Sequence, residues 1–222
     1  MSASGRMGLL GGTFDPVHYG HLDVAEAART RLELDQVMFI PSHDPPHRAV
    51  APHVSAFHRF ALIALAIDGH EGYRAADAEL TRDGPSFTVD TLRGLHAEGW
   101  RPSQLFFIIG ADAFAEIATW REYPSVLDAA NFAVMSRPGT SLEAALARTP
   151  DLHTRAHRYV PHAPESEATS ILLVDARTRD VSSTQIRARI AAEQDIDDLV
   201  PRGVARHIAA NNLYTAVGEL HG

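Results

Sequence analysis

Gly11-Gly12-Thr13-Phe14-Asp15-Pro16-Val17-His18-Tyr19-Gly20-His21-Leu22 changes character twice within twelve residues. Just before it, Met7 to Leu10 is a short apolar run that reads as a buried first strand. The paired glycines let the backbone turn tightly and approach a ligand with no Cβ in the way. Pro16 ends any strand. From about Val17 the pattern becomes helical, with Leu22, Ala25, Ala28 and Leu32 recurring on one face. Strand, glycine turn and helix in that order expose a helix N-terminus, which binds anions through its N–H groups and its dipole. His18 and His21 lie three residues apart and project from the same side of the first helical turn. Taken alone, two such histidines also fit a surface pair or a metal pair. Their spacing differs from that of zinc-protease helices, where the histidines are four apart around a glutamate.

Working outward, the first helix is expected to end near Leu34, and Val37 to Ile40 reads as a second buried strand closed by Pro41. Ser42-His43-Asp44-Pro45-Pro46-His47-Arg48 is too rich in proline for helix or sheet and falls where open α/β sheets bind ligands. Phe57 to Ile67 is an amphipathic helix, with Phe57, Phe60, Ala61, Ile63, Ala64 and Ile67 expected inward. Tyr73 to Leu80 is a candidate strand. After the Asp83-Gly84-Pro85 turn, Ser86 is an expected N-cap for a helix traced by Val89, Leu92 and Leu95. Gln104 to Ile109 is the strongest buried strand, ended by Gly110-Ala111-Asp112. Trp120 stands in a mostly polar stretch, as a partial core residue or a stacking platform. Phe132 to Met135 reads as a strand, Leu142 to Leu146 begins a helix, and Ser170 to Val174 is the last expected strand. Between them Thr149 to Ala168 has no clear pattern, and its His153, His157 and His162 are read as surface residues. In Val181-Ser182-Ser183-Thr184-Gln185-Ile186-Arg187 the hydroxyls precede a helix, so Ser182, Thr184 and Arg187 fall at a first turn suited to polyphosphate. A helix from Val204 to Ala210 follows, and Thr215 to Gly222 reads as a loose tail.

Composition narrows the chemistry. The chain has 222 residues, 45% of them hydrophobic, which suffices for one domain with a sizeable core. A net charge of -8 argues against a sequence-independent nucleic-acid binder. There is no cysteine and no lysine, all 20 basic residues being arginine. Thiolate and Schiff-base chemistry are therefore excluded, and any phosphate clamp must be arginine, histidine or backbone. No apolar run reaches membrane-spanning length, so no membrane partner and a cytoplasmic location are expected.

Gly11 to Leu22 resembles the T/HxGH signature of the nucleotidylyltransferase superfamily, and specifically that of bacterial nicotinate-nucleotide adenylyltransferases. Val181 to Arg187 resembles that family's ISSTxIR motif, with valine in place of the first isoleucine. Pro41, Pro45, Pro46, His47 and Arg48 match its P-x-x-x-PPH-[K/R] segment. Ser86-Phe87-Thr88 matches an S-[YF]-T element, and Gly110-Ala111-Asp112 with Trp120 and Tyr123 matches a GAD…W…Y pattern. Asn212-Leu213-Tyr214 resembles the family's usual ending.

The resemblance implies an α/β fold: a doubly wound, Rossmann-like, mostly parallel sheet with a small helical C-terminal part from about 181 to 222, all in a single domain 1–222. It implies transfer of the adenylyl group of ATP to nicotinate mononucleotide, giving deamido-NAD and pyrophosphate, with Mg2+ carried by ATP and no metal site of the protein's own. His18, His21 and Arg187 are then the catalytic residues. Gly11, Gly12, Thr13, Phe14, Gly110, Asp112, Ser182 and Thr184 join them around ATP. Arg48, Ser86, Phe87, Thr88, Trp120 and Tyr123 would meet the mononucleotide. No arginine is read beside the pyridine-binding element, so the acceptor's carboxylate is expected at the helix start of Ser86 to Thr88. The alternatives are adenylyl transfer to another phosphorylated acceptor, such as nicotinamide mononucleotide or pantetheine phosphate, and a non-catalytic nucleotide sensor.

Overall fold

A computed structural model describes residues 5–45, 51–82, 84–136, 141–160 and 166–215. Arg48, Pro46, His47, Asp83, His162 and residues 216–222 lie outside the described residues. Seven strands are seen among the described residues: β1 (Met7–Gly12), β2 (Gln36–Pro41), β3 (Tyr73–Ala75), β4 (Leu105–Gly110), β5 (Asn131–Met135), β6 (Ala156–Arg158) and β7 (Ile171–Val174). The helices are α1 (Tyr19–Arg31), α2 (Ala56–Ala66), α3 (Thr88–Ala97), α4 (Ala111–Phe114), α5 (Leu142–Ala147), α6 (Ser183–Ala191) and α7 (Arg202–Ala210). The sheet order is β3-β2-β1-β4-β5-β7-β6, and the ladders β1–β4, β4–β5, β5–β7 and β6–β7 are parallel. The chain runs outward from β1 to β3, then returns to place β4 on the other side of β1. The carboxyl ends of β1 and β4 therefore form a topological switch point, where doubly wound sheets bind ligands.

The chain gathers into two compact units, each drawn from separate segments. The first comprises Met1–Gly11, Asp23–Met38 and Phe87–Thr178. Its core is β4 and β5, whose apolar runs are buried along their whole length apart from Gly110, as strands covered on both faces require. Asn131 is buried there and fully used: Nδ2 donates to the Ser103 and Leu105 carbonyls, and Oδ1 accepts from the Ser170 amide. The patternless segment contains β6, which lies at the sheet's edge as a three-residue, mostly exposed strand. Short, polar edge strands of this kind resist pairing with other chains.

The second unit comprises Gly12–Leu22, Phe39–Ser86 and Arg179–Gly222. Here α2 is turned relative to the expected face. Arg59, Leu62, Ile63 and Ala66 are its buried residues, Ala64 is exposed, and Phe57 is 82% exposed. Two contacts account for the rotation. Arg59 is drawn inward to donate to the Thr13 carbonyl at 2.8 Å. Leu65 sits against α7 where Gly203 leaves room, 3.4 Å from where a Cβ would stand.

The same pair of helices brings His58 Nδ1 to 3.1 Å from His207 Nε2. Burial, and then the neighbouring His58, hold the His207 pKa below its ordinary 6.5. Protons are thus bound more readily by the unfolded chain. The stability this site contributes is complete above about pH 6.5 and is lost as pH falls through the window below it toward the lowered folded value. Thermal unfolding followed from pH 7.5 down to about pH 5 should show this loss, and His207→Gln should flatten the dependence. An unchanged slope in that variant would remove His207 as its source.

Candidate active site

The second unit assembles the two phosphate motifs. In the loop after β1, Phe14 has φ +52, an uncommon conformation for a bulky residue, and it is held there by burial. Its ring meets His21 edge-on at 4.9 Å and Phe39 at 6.0 Å. Any Cβ on Gly12 would stand 3.2 Å from the Phe14 ring. Gly20 has a similar purpose, since a Cβ there would lie 3.1 Å from His18 Nδ1. The two imidazoles lie against each other with centroids 3.8 Å apart and planes tilted by 32°. The His18 backbone N–H donates to His21 Nδ1 at 3.2 Å. That bond fixes the tautomer of neutral His21: the proton resides on Nε2, which makes that atom a donor.

The start of α6 approaches this loop. Ser182 is the N-cap, its Oγ accepting from the Gln185 amide at 3.1 Å. Ser183 Oγ donates to the Pro16 carbonyl at 2.8 Å. Arg187 Nη1 donates to the Asp15 carbonyl at 2.6 Å, and its Nη2 donates to Thr184 Oγ1 at 3.3 Å. Ser182 and Thr184 are exposed, and each hydroxyl keeps an O–H to donate. The carbonyls of Thr13, Asp15 and Pro16 are thus pinned by Arg59, Arg187 and Ser183. This result assigns local work to Ser183 and Arg59, neither of which had a role in the sequence reading. Arg59 was hidden by its position on an apolar helix.

Ser86 belongs to the same unit and does not cap α3. Its Oγ accepts from the His43 amide at 2.9 Å, and its own amide donates to the Asp44 carbonyl at 2.9 Å. Phe87 is the N-cap instead, extended and with no side-chain capping bond, and Thr88 is the first helical residue. The serine was captured by the proline-rich segment, so the helix begins one residue past the position its sequence suggested.

In the first unit Gly11 lies one residue before the end of β1, and Gly110 ends β4. A Cβ on Gly11 would stand 3.4 Å from the Phe107 ring. Gly110 precedes the short helix α4, and Asp112 is exposed in its first turn. Trp120 is half-buried, edge-on to Phe107 at 5.7 Å and to Phe132 at 6.4 Å. Tyr123 donates its hydroxyl to Asp151. Burial, with the Asp151 carboxylate second, raises its pKa to about 12. Beside the α3 start stands an arginine that the sequence reading passed over: the Arg121 guanidinium lies 4.6 Å above the Phe87 ring. It also faces Asp90 at 3.6 Å. Its position directly after Trp120 was the available signal.

The chain matches the Cytidylyltransferase-like family over residues 9–189. It is 40% identical over 215 residues to a probable nicotinate-nucleotide adenylyltransferase of Trichlorobacter lovleyi, covering 94% of this chain and 99% of the relative. It is 38% identical over 209 residues to one of Desulfitobacterium hafniense, covering 94% and 95%. In fold it is similar to the Plasmodium falciparum nicotinic acid mononucleotide adenylyltransferase solved with NaAD, at a TM-score of 0.70 and 17% identity, covering 95% of this chain and 98% of that one. At this identity and coverage the chain belongs to the nicotinate-nucleotide adenylyltransferases of the Cytidylyltransferase-like family.

Proposed function

We propose that this chain is a cytoplasmic enzyme that transfers the adenylyl group of ATP to nicotinate mononucleotide, acting as a single domain over residues 1–222 with 181–222 as its helical end. The observation that carries the reading is the meeting of the paired His18 and His21 with the Ser182–Arg187 helix start around one pinned loop. A phosphate oxygen of the mononucleotide attacks the α-phosphorus of ATP in line. One P–O bond forms there, the bond to the β-phosphate bridge breaks, and pyrophosphate leaves. No protein nucleophile is needed. Catalysis is positioning and charge stabilisation by donors already in place. His18 and His21 meet the transferring phosphoryl group, with Ser182, Thr184 and Arg187 on the departing pyrophosphate. Gly12, Thr13, Phe14, Gly110 and Asp112 are assigned to the adenosine side, and Gly11 to ATP.

Among the described residues no group of three or more His, Asp or Glu side chains could hold a metal ion. A Mg2+ would be carried by the nucleotide's own phosphates, where it would neutralise developing charge. None of the described helices is long and apolar enough to cross a membrane.

Trp120, Phe87, Tyr123 and the α3 start would hold the pyridine ring, and Arg48 is assigned to the same mononucleotide. A helix N-terminus and the Arg121 cation both favour the acid over the amide, so nicotinate mononucleotide should be preferred to the nicotinamide form. Trp120→Ala should weaken both acceptors alike, since the rings present similar faces. Thr88 stands at the first helical position after an extended residue, where proline is tolerated. Thr88→Pro should therefore remove one N–H without breaking α3, and should erode the preference. Pyrophosphate release measured with both mononucleotides and with pantetheine phosphate tests the whole reading. Equal efficiency on the first two would overturn the acceptor choice, and turnover of pantetheine phosphate alone would overturn the function.

A further inference from the structure

Beneath the phosphate loop lies a buried polar cluster that the reaction as described does not use. Asp15 is 1% exposed. Its Oδ2 accepts from the His53 amide at 2.9 Å and faces His53 Nδ1 at 3.0 Å. A carboxylate only accepts, so that ring nitrogen carries the proton. Arg187 Nη1 reaches the same oxygen at 4.0 Å while donating to the Asp15 carbonyl. The other carboxylate oxygen, Oδ1, is fully buried and has no hydrogen-bond partner.

The Tyr214 hydroxyl is also fully buried without a hydrogen-bond partner. It arrives there by a defined turn. After α7, Asn212 takes φ +48, a conformation asparagine tolerates, and Tyr214 takes φ +64. The Leu213 amide closes back on the Ile208 carbonyl at 3.0 Å. Burial first, and then Asp15 through its charge and as the hydrogen-bond acceptor that the Tyr214 hydroxyl approaches, push the phenol above its ordinary range. A buried donor without an acceptor and a buried acceptor without a donor are each costly, and here they share one cluster.

We propose that Tyr214 is a positioning residue for adenylyl transfer: its hydroxyl donates to Asp15 Oδ1 when the loop engages ATP, and that bond sets the Thr13–Pro16 backbone and Arg187 for the reaction. Asp15 is the hinge of the idea. Its side chain answers to His53 and Tyr214, and its carbonyl answers to Arg187. A shift of the carboxylate therefore moves the residues leading to His18 and the guanidinium together, and small misplacements of this kind are expensive in rate.

The inference rests on the proposed roles of the loop and of Arg187. If Tyr214 served only to pack, phenylalanine would serve equally well. The full-length enzyme is assayed with ATP and nicotinate mononucleotide, and kcat is expressed per ATP-binding site counted by calorimetry, so that misfolded protein does not enter the rate. Tyr214→Phe should lower kcat about tenfold with KM for the mononucleotide unchanged. Asp15→Asn should cost a similar factor, and the double variant should be little worse than either single one, because both remove the same bond. Wild-type kcat in Tyr214→Phe, or losses that multiply in the double variant, would overturn the proposal. His21→Ala in the same assay separates the two levels: if it retains turnover, the reading of the loop itself fails. A crippled His21→Ala beside an unaffected Tyr214→Phe defeats only the role of Tyr214.

Discussion

His21→Ala is expected to lower kcat roughly a hundredfold or more, about 3 kcal/mol of transition-state stabilisation, while ATP affinity changes little. The asymmetry follows from the tautomer. Because His21 Nδ1 accepts from the His18 amide at 3.2 Å, Nε2 is the donor of the neutral ring. Its direction is set before substrate arrives, so it need not reorganise as charge develops. His18→Ala should be similarly severe, and for an additional reason: His18 is buried and packs against His21 at 3.8 Å between centroids, so its removal also frees the second ring. Gln at position 21 can offer a donor but not the ring that packs against His18, and should recover only part of the rate. Steady-state kinetics with an independent ATP-binding isotherm check the split. Near-normal turnover in both alanine variants would remove the histidines from the catalytic role.

Arg187→Ala should cost roughly ten- to a hundredfold in kcat/KM for ATP, with a smaller effect on the mononucleotide. Two losses combine in this variant: a cation beside the departing pyrophosphate, and the 2.6 Å bond that holds the Asp15 carbonyl. Arg187→Lys distinguishes them. Lysine restores charge but not the fork that reaches the Asp15 carbonyl and Thr184 Oγ1 together, so it should recover only part of the loss. Full recovery with lysine would mean that charge alone matters at this position. A defect confined to the mononucleotide would place Arg187 on the wrong substrate.

What was legible in the sequence was local. The glycine turn after an apolar strand needs only its own residues to be read, and Ser182 caps α6 through the amide three positions on. What escaped depended on partners far along the chain. Ser86 has every local property of an N-cap, yet the His43 amide claims its oxygen. The apolar face of α2 could not be phased from periodicity, because a loop carbonyl draws Arg59 inward and leaves Phe57 outside. The strand Ala156–Arg158 has no apolar pattern, since it is an edge strand held mainly by backbone pairing to Ile171–Leu173. Arg121 was visible as a residue, but its seat over Phe87 is a tertiary fact.

The pinned carbonyls carry a consequence for how the enzyme comes into being. The bonds from Arg187 to Asp15 and from Ser183 to Pro16 join residues 172 and 167 positions apart. The loop leaves the ribosome well before its fasteners. During synthesis it must wait, without its final shape, until the segment carrying Ser183 and Arg187 has emerged. Contacts of such long range form late and slow the search for the native state. Catalytic competence is therefore the final event of assembly rather than an early one, and the appearance of activity during refolding should mark completion of the C-terminal helices instead of collapse of the sheet.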